Sequence, residues 1–77
     1  MMKVLLSELP IKKLATITKI NGSDKMRNRL MEMGLTDGTT LYINRLAPLG
    51  DPLEIRVRNF SLCIRKDDAK MIEVKLH

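Results

Sequence analysis

Hydrophobic and polar positions alternate along most of this chain. "KLATITKI" (13–20) sets Ala15 and Ile17 against Thr16 and Thr18, and "TTLYINRL" (39–46) repeats the pattern with Leu41 and Ile43. The cleanest alternation is "LEIRVR" (53–58), with Leu53, Ile55 and Val57 on one face and Glu54, Arg56 and Arg58 on the other. "FSLCI" (60–64) aligns Phe60, Leu62 and Ile64, and "MIEVKL" (71–76) aligns Ile72, Val74 and Leu76. A period of two in runs rich in β-branched residues predicts five short, half-buried strands.

The period changes once. Met26, Leu30 and Met33 recur at i, i+4 and i+7, one stripe of a helix over about 23–33 that faces the core. A charge placed at Met33 is therefore expected to unfold the domain. Ser23 is the expected N-cap, with Asp24 in the first turn where the helix dipole favours an anion. Gly34 stands where a C′ residue takes positive φ, and Leu35 folds back on the last turn. "TDG" (36–38) is a tight turn into the second strand.

The remaining breaks are turns and loops. Ser7, Glu8 and Leu9 before Pro10 make one short turn, a lid at most. "APLGDP" (47–52) is a loop whose prolines restrict its backbone. Asn59, a residue that tolerates the left-handed region, joins the third and fourth strands in a tight hairpin. "RKDDAK" (65–70) is a 3-10 turn before the last strand. Five antiparallel strands with one inserted helix and no strand–helix–strand rhythm make a mainly β chain, best closed as a small SH3-like barrel in one domain over residues 1–77.

Composition sharpens this picture. In a chain of 77 residues the core is thin, and with Tyr42 and Phe60 as the only aromatic residues it is built from Leu, Ile, Val and some of the six Met. The formal charge of +5 favours acidic partners, nucleic acid or an anionic surface without choosing among them. The single Cys63 excludes an intrachain disulfide and a cysteine cage, which fits a reducing compartment, the cytoplasm by default. The apolar run near the start is too short for a signal-peptide core, and no window is long enough to span a bilayer.

Three separated stretches carry a family resemblance: Leu-x-x-Met-Gly-Leu (30–35), Ala-Pro-Leu-Gly-Asp-Pro (47–52) and Leu-x-Ile-Arg-Lys-x-x-Ala (62–69). Over residues 5–75 the chain closely resembles FeoA, the small cytoplasmic protein of bacterial ferrous iron transport. It departs from that family's usual pattern at Asn59, where Gly is common. The resemblance implies an SH3-like barrel beside a large membrane permease, FeoB, which carries a cytosolic GTP-binding domain. The same barrel resembles the C-terminal domain of iron-dependent repressors, but no DNA-binding helix pair precedes it here.

The candidate chemistry is sparse. Met26, Met31 and Met33 invite a metal reading, but ferrous iron prefers oxygen and imidazole, and two of the three lie on the apolar stripe. Met31 leaves the stripe and is expected at the surface. Cys63 has no neighbouring base to activate it and reads as a passive structural residue. His77 is a lone imidazole at the last position. Asp67 and Asp68 read as a helix-start cap with a solvated neighbour. No P-loop and no nucleophile–base pair is present, so no cofactor, metal or catalytic role is assigned and any GTP chemistry belongs to a partner. Nucleic-acid binding is an alternative on charge alone, but Phe60 reads as internal and a stacking platform is missing.

A protein-interaction module remains. Leu49 at the tip of the Pro48–Pro52 loop is either an apolar anchor or a plug folded into the barrel. Arg45, Arg56 and Arg65 form a basic flank beside it, and Met31 is an outlying contact. Self-association through the loop or a barrel flank stays open.

Overall fold

The computed structural model of the protein describes residues 3–77. All five expected strands form, and a sixth precedes them. In chain order the elements are β1 (Lys3–Leu5), a 3-10 turn (Leu6–Glu8), β2 (Ala15–Ile20), α1 (Asp24–Glu32), β3 (Thr40–Leu46), β4 (Leu53–Val57), β5 (Phe60–Ile64), α2 (Lys66–Ala69) and β6 (Ile72–Leu76). They build one antiparallel sheet in the order β1-β6-β2-β3-β4-β5. Two bulges, between Ile17 and Lys19 and between Ile43 and Arg45, bend β2 and β3 and curl the sheet into the expected SH3-like roll.

The sixth strand corrects the expected count of five. Three residues are too few to show an alternation, and β1 exists because β6 offers it an edge: Val4 pairs with Val74 and Leu5 with Glu73. The turn that follows is more than a lid. Leu6 and Leu9 are buried in the core, while Glu8 reaches back to accept the Leu5 N–H at 3.2 Å. The chain is therefore plugged at this end by two leucines whose approach is fixed by a local carboxylate.

The buried residues of β3, β4 and β6 follow the period of two, as do Ala15 and Ile17 of β2 before its bulge shifts the next to Ile20; Leu30, Leu35 and Ala69 are also buried, flanking or within the helical elements. At the N-terminus of α1 the Ser23 hydroxyl accepts the Met26 N–H at 3.2 Å, as expected. The C-terminus closes with a full Schellman pair, Leu35 N–H to Leu30 O at 3.0 Å and Gly34 N–H to Met31 O at 2.9 Å, with Gly34 at φ +97. This closure explains a misplaced residue. Met33 is the C-cap, 37% exposed, and not part of the core. Helical spacing holds only while the helix continues; the reversal at Gly34 puts Leu35 where the next apolar residue of the stripe was expected. Met26 is only partly buried.

Three further details differ from the sequence reading. Lys12 (φ 69) is the single non-glycine residue with positive φ among the described residues, so Asn59 is not left-handed. A mirror-image hairpin turn needs positive φ at both central residues, and Arg58 resists it. Phe60 follows that turn directly and overhangs the end of the roll, 39% exposed, instead of entering it. Third, the turn before β6 is a single α-turn, with Ala69 N–H to Arg65 O and Lys70 N–H to Lys66 O both at 3.0 Å, ending in one 3-10 step from Met71 N–H to Asp68 O.

Candidate functional site

The β3–β4 hairpin carries most of the residues singled out as a contact surface. Its loop closes on itself through Gly50 N–H to Ala47 O at 2.7 Å and Ala47 N–H to Pro52 O at 3.1 Å. Asp51 adds an anchor from outside the hairpin: its Oδ1 accepts the Lys66 N–H at 3.0 Å and so caps α2. Asp67 and Asp68, the expected cap, do other things. Asp68 takes both carboxylate oxygens to Arg29 of α1 at 3.2 Å, and Asp67 lies near Lys70. With its base held at two points the loop presents Leu49 to water at 94% exposure. Leu49 is therefore not folded into the barrel as a plug.

Arg45 and Arg65 flank the base of this loop, one at the end of β3 and one between β5 and α2. Arg45 is engaged: its Nε donates to Glu54 Oε1 at 2.8 Å, and Asn44 Nδ2 donates to Glu54 Oε2 at 2.6 Å. These two hydrogen bonds, with the positive charge of Arg45 and Lys12, hold the Glu54 carboxyl below its ordinary range. Arg56 lies two residues along β4 on the same outer face and donates to Ser61 Oγ at 3.2 Å. Pro48 and Pro52 are exposed beside Leu49. Met31 stands apart, exposed on α1 in a cleft with Ile20, Arg27, Thr36 and Asp37. The structure thus gathers the loop, Arg45 and Arg65, sets Arg56 farther up the sheet, and leaves Met31 outside the group.

Sequence reasoning missed a groove of about 830 Å³ at the other end of the sheet, where Leu14, Tyr42, Arg56, Arg58 and Phe60 converge. One signal for it was present: Leu14 shares the parity of Thr16 and Thr18, the polar face of β2, and is exposed. The two rings of this groove are already in use. The Lys12 ammonium sits 5.7 Å above the Tyr42 ring, held there by Asn44 Oδ1, and Phe60 rests on Gly34. Base stacking would have to displace these contacts, which weighs against a single-strand nucleic-acid platform.

Cys63 is exposed rather than packed, and His77 Nε2 lies 2.5 Å from Thr16 Oγ1 at the edge of β2. No group of three or more His, Cys, Asp or Glu suited to a metal ion occurs among the described residues. No described helix is long and apolar enough to cross a membrane.

This fold recurs in known proteins. The FeoA-like protein of Clostridium acetobutylicum superposes with a TM-score of 0.89 at 38% identity, covering 99% of this chain and 88% of that one. The zinc-complexed FeoA of Stenotrophomonas maltophilia, described as an SH3 domain protein, superposes at 0.78 with 28% identity, covering 97% and 91%. In sequence, 71 residues are 38% identical to a fusion protein of Porphyromonas gingivalis that joins Fe(2+) transport protein A to the Fe(2+) transporter FeoB; the match covers 92% of this chain and 8% of that relative's length. The FeoA domain family matches residues 4–76, nearly the whole of the roll described above, and the chain belongs to that family.

Proposed function

We propose that this chain is a non-enzymatic accessory domain of ferrous iron uptake that docks on a FeoB-type permease and biases its GTPase or its gate. The observation that carries the proposal is the Porphyromonas gingivalis relative, in which the counterpart of this chain shares a polypeptide with the transporter. A tether of that kind raises the local concentration of the domain to about millimolar, so even a modest contact is occupied most of the time. The domain works on the cytoplasmic side of the membrane, recruited by its partner. To bias a two-state permease it must bind one state more tightly than the other, since equal affinity shifts nothing.

The docking surface is the Leu49 loop with Pro48 and Pro52, rimmed by Arg45 and Arg65 and extended by Arg56. A closed, capped loop loses little freedom on docking, and an exposed leucine gains apolar burial only when a partner covers it. Met31 is an outlying contact at most, because it lies off this surface. Leu49→Asp tests the reading. Since Leu49 touches little of its own domain, the variant should keep the wild-type melting temperature and lose co-purification with the permease from detergent-solubilised membranes. Undiminished co-purification by the folded variant would remove the loop from the interface. GTP hydrolysis measured with and without the domain then gives the sign of the bias.

A further inference from the structure

The sheet ends on one side at β5, and this edge carries a pattern that the loop surface does not explain. β5 pairs only with β4, from Val57↔Phe60 through Glu54↔Cys63 to Leu53↔Ile64. In a hairpin closed by a two-residue turn the first pair exchanges both hydrogen bonds, and the bonded pairs then alternate. Phe60, Leu62 and Ile64 therefore spend their backbone groups on β4. The N–H and C=O of Ser61 and Cys63 point away from the sheet, and no other backbone bond to them is formed among the described residues. The side chains of Ser61 and Cys63 stand on the outer face, and beyond the edge Cys63, Ile64 and Arg65 line an open cleft of about 500 Å³ whose far wall is Arg29 and Met33 of α1.

Charge selects what can occupy such an edge. Arg58 precedes β5, Arg65 and Lys66 follow it, and Arg56 lies across from Ser61 on β4. None of these four joins an ion pair among the described residues, whereas Arg45, Arg29 and Lys70 each have a carboxylate partner. The nearby acids are engaged: Glu54 with Arg45, Asp68 with Arg29, Asp51 with the α2 cap, and Asp67, on the same cleft, with Lys70 at 3.9 Å. Cations at both ends of a bare edge repel a second copy of the same edge, a common guard against strand-to-strand aggregation. The same cations attract an extended chain of opposite sign.

We infer that the free edge of β5 receives an extended acidic segment of a partner chain as an added strand, through the outward backbone groups of Ser61 and Cys63 and the unpaired Arg56, Arg58, Arg65 and Lys66. Backbone pairing supplies affinity with little demand on side-chain identity, and the flanking cations supply the preference for acid. This surface shares Arg56 and Arg65 with the proposed permease contact but does not depend on it. Failure here leaves the Leu49 co-purification test untouched.

The test is a titration of nitrogen-15-labelled protein with an acetyl- and amide-capped probe peptide of alternating valine and threonine, with an aspartate pair at each end. The Ser61 and Cys63 amide signals should shift and their hydrogen exchange should slow. A probe of equal charge whose central residues are prolines should bind about tenfold more weakly, having lost its ladder bonds. Ser61→Pro, which removes the outward N–H together with the hydroxyl that Arg56 engages and is tolerated at such a position, should weaken the first probe to a similar degree, whereas Ser61→Ala, which removes the hydroxyl alone, should not. The wild-type exchange measurement decides the matter if that variant does not fold. Equal binding of both probes, shifts confined to residues 47–52, absence of binding, or a uridine oligomer that displaces the peptide from the same amides would each overturn the inference.

Discussion

The ring of Phe60 lies directly against Gly34, so that a β-carbon built on the glycine would stand 2.9 Å from Phe60 Cζ. Through this contact the tip of the β4–β5 hairpin rests on the C-terminal end of α1. Gly34 is thus constrained twice, by its left-handed backbone (φ +97) and by the ring above it. Gly38 (φ +90) carries the first constraint alone, with nothing within 4 Å of where its β-carbon would be.

The pair separates the two effects. Gly38→Ala should cost about 1–2 kcal/mol, the strain of a left-handed alanine. Gly34→Ala should cost about 1 kcal/mol more, because the ring must also be displaced. In a Phe60→Ala background, Gly34→Ala should cost only the strain. Urea midpoints of the five proteins measure it; equal losses for the two glycine variants would mean that the ring yields freely.

Much of the sheet was legible before the structure because its signal is local. A strand with one buried face writes a period of two into five or six residues, and β3 and β4 have their buried residues where that period puts them, as do β2 up to Ile17, where a bulge shifts the next buried residue to Ile20, and β6 up to Val74. Three of the errors share a cause: each lies at an element's end, where a tertiary partner overrides the local rule. β1 exists through β6, Phe60 leaves the core because Gly34 receives it, and Met33 is set by the Schellman reversal. The candidate surface was legible only in part. The base of the Leu49 loop is anchored by Asp51 reaching Lys66 fifteen residues away, a distance no spacing rule covers.

The helix end yields a sharp contrast. Leu30 is fully buried while Met33 is exposed. Met33→Asp should leave the domain folded, with a loss of about 0.3–1 kcal/mol from an anion near a helix C-terminus. Leu30→Ala should cost about 2–5 kcal/mol through lost burial and the cavity left behind. Circular dichroism melts distinguish them, and unfolding by the first substitution would restore Met33 to the core.

Asp51 links the loop to α2, a turn of only four residues that has little stability of its own. Asp51→Ala should therefore lower stability by about 0.5–2 kcal/mol, the usual range for a lost cap, and should speed amide exchange at Lys66 before it affects β3 or β4. Asp51→Asn keeps an acceptor and should retain most of the stability. If both variants behave like wild type, the capping bond contributes nothing in solution.

Glu54 gives the domain a pH dependence of known sign. Its carboxyl is held below the ordinary value of 4.5 mainly by the Asn44 amide, then by the Arg45 guanidinium. A folded-state pKa below the unfolded one means that the unfolded chain binds the proton first, so folding gains from the charged form above that ordinary value. The gain is fully present at neutral pH and disappears as pH falls through the folded-state pKa. Glu54→Gln keeps the shape and removes the titration. The variant should melt below wild type at pH 7, and the two should converge in acid as wild-type Glu54 becomes protonated. Because the pair is solvent-accessible, added salt should narrow the difference at pH 7. Parallel melting curves across the acid range, with a constant gap between the proteins, would show that Asn44 and Arg45 do not favour the ionised carboxylate in the fold.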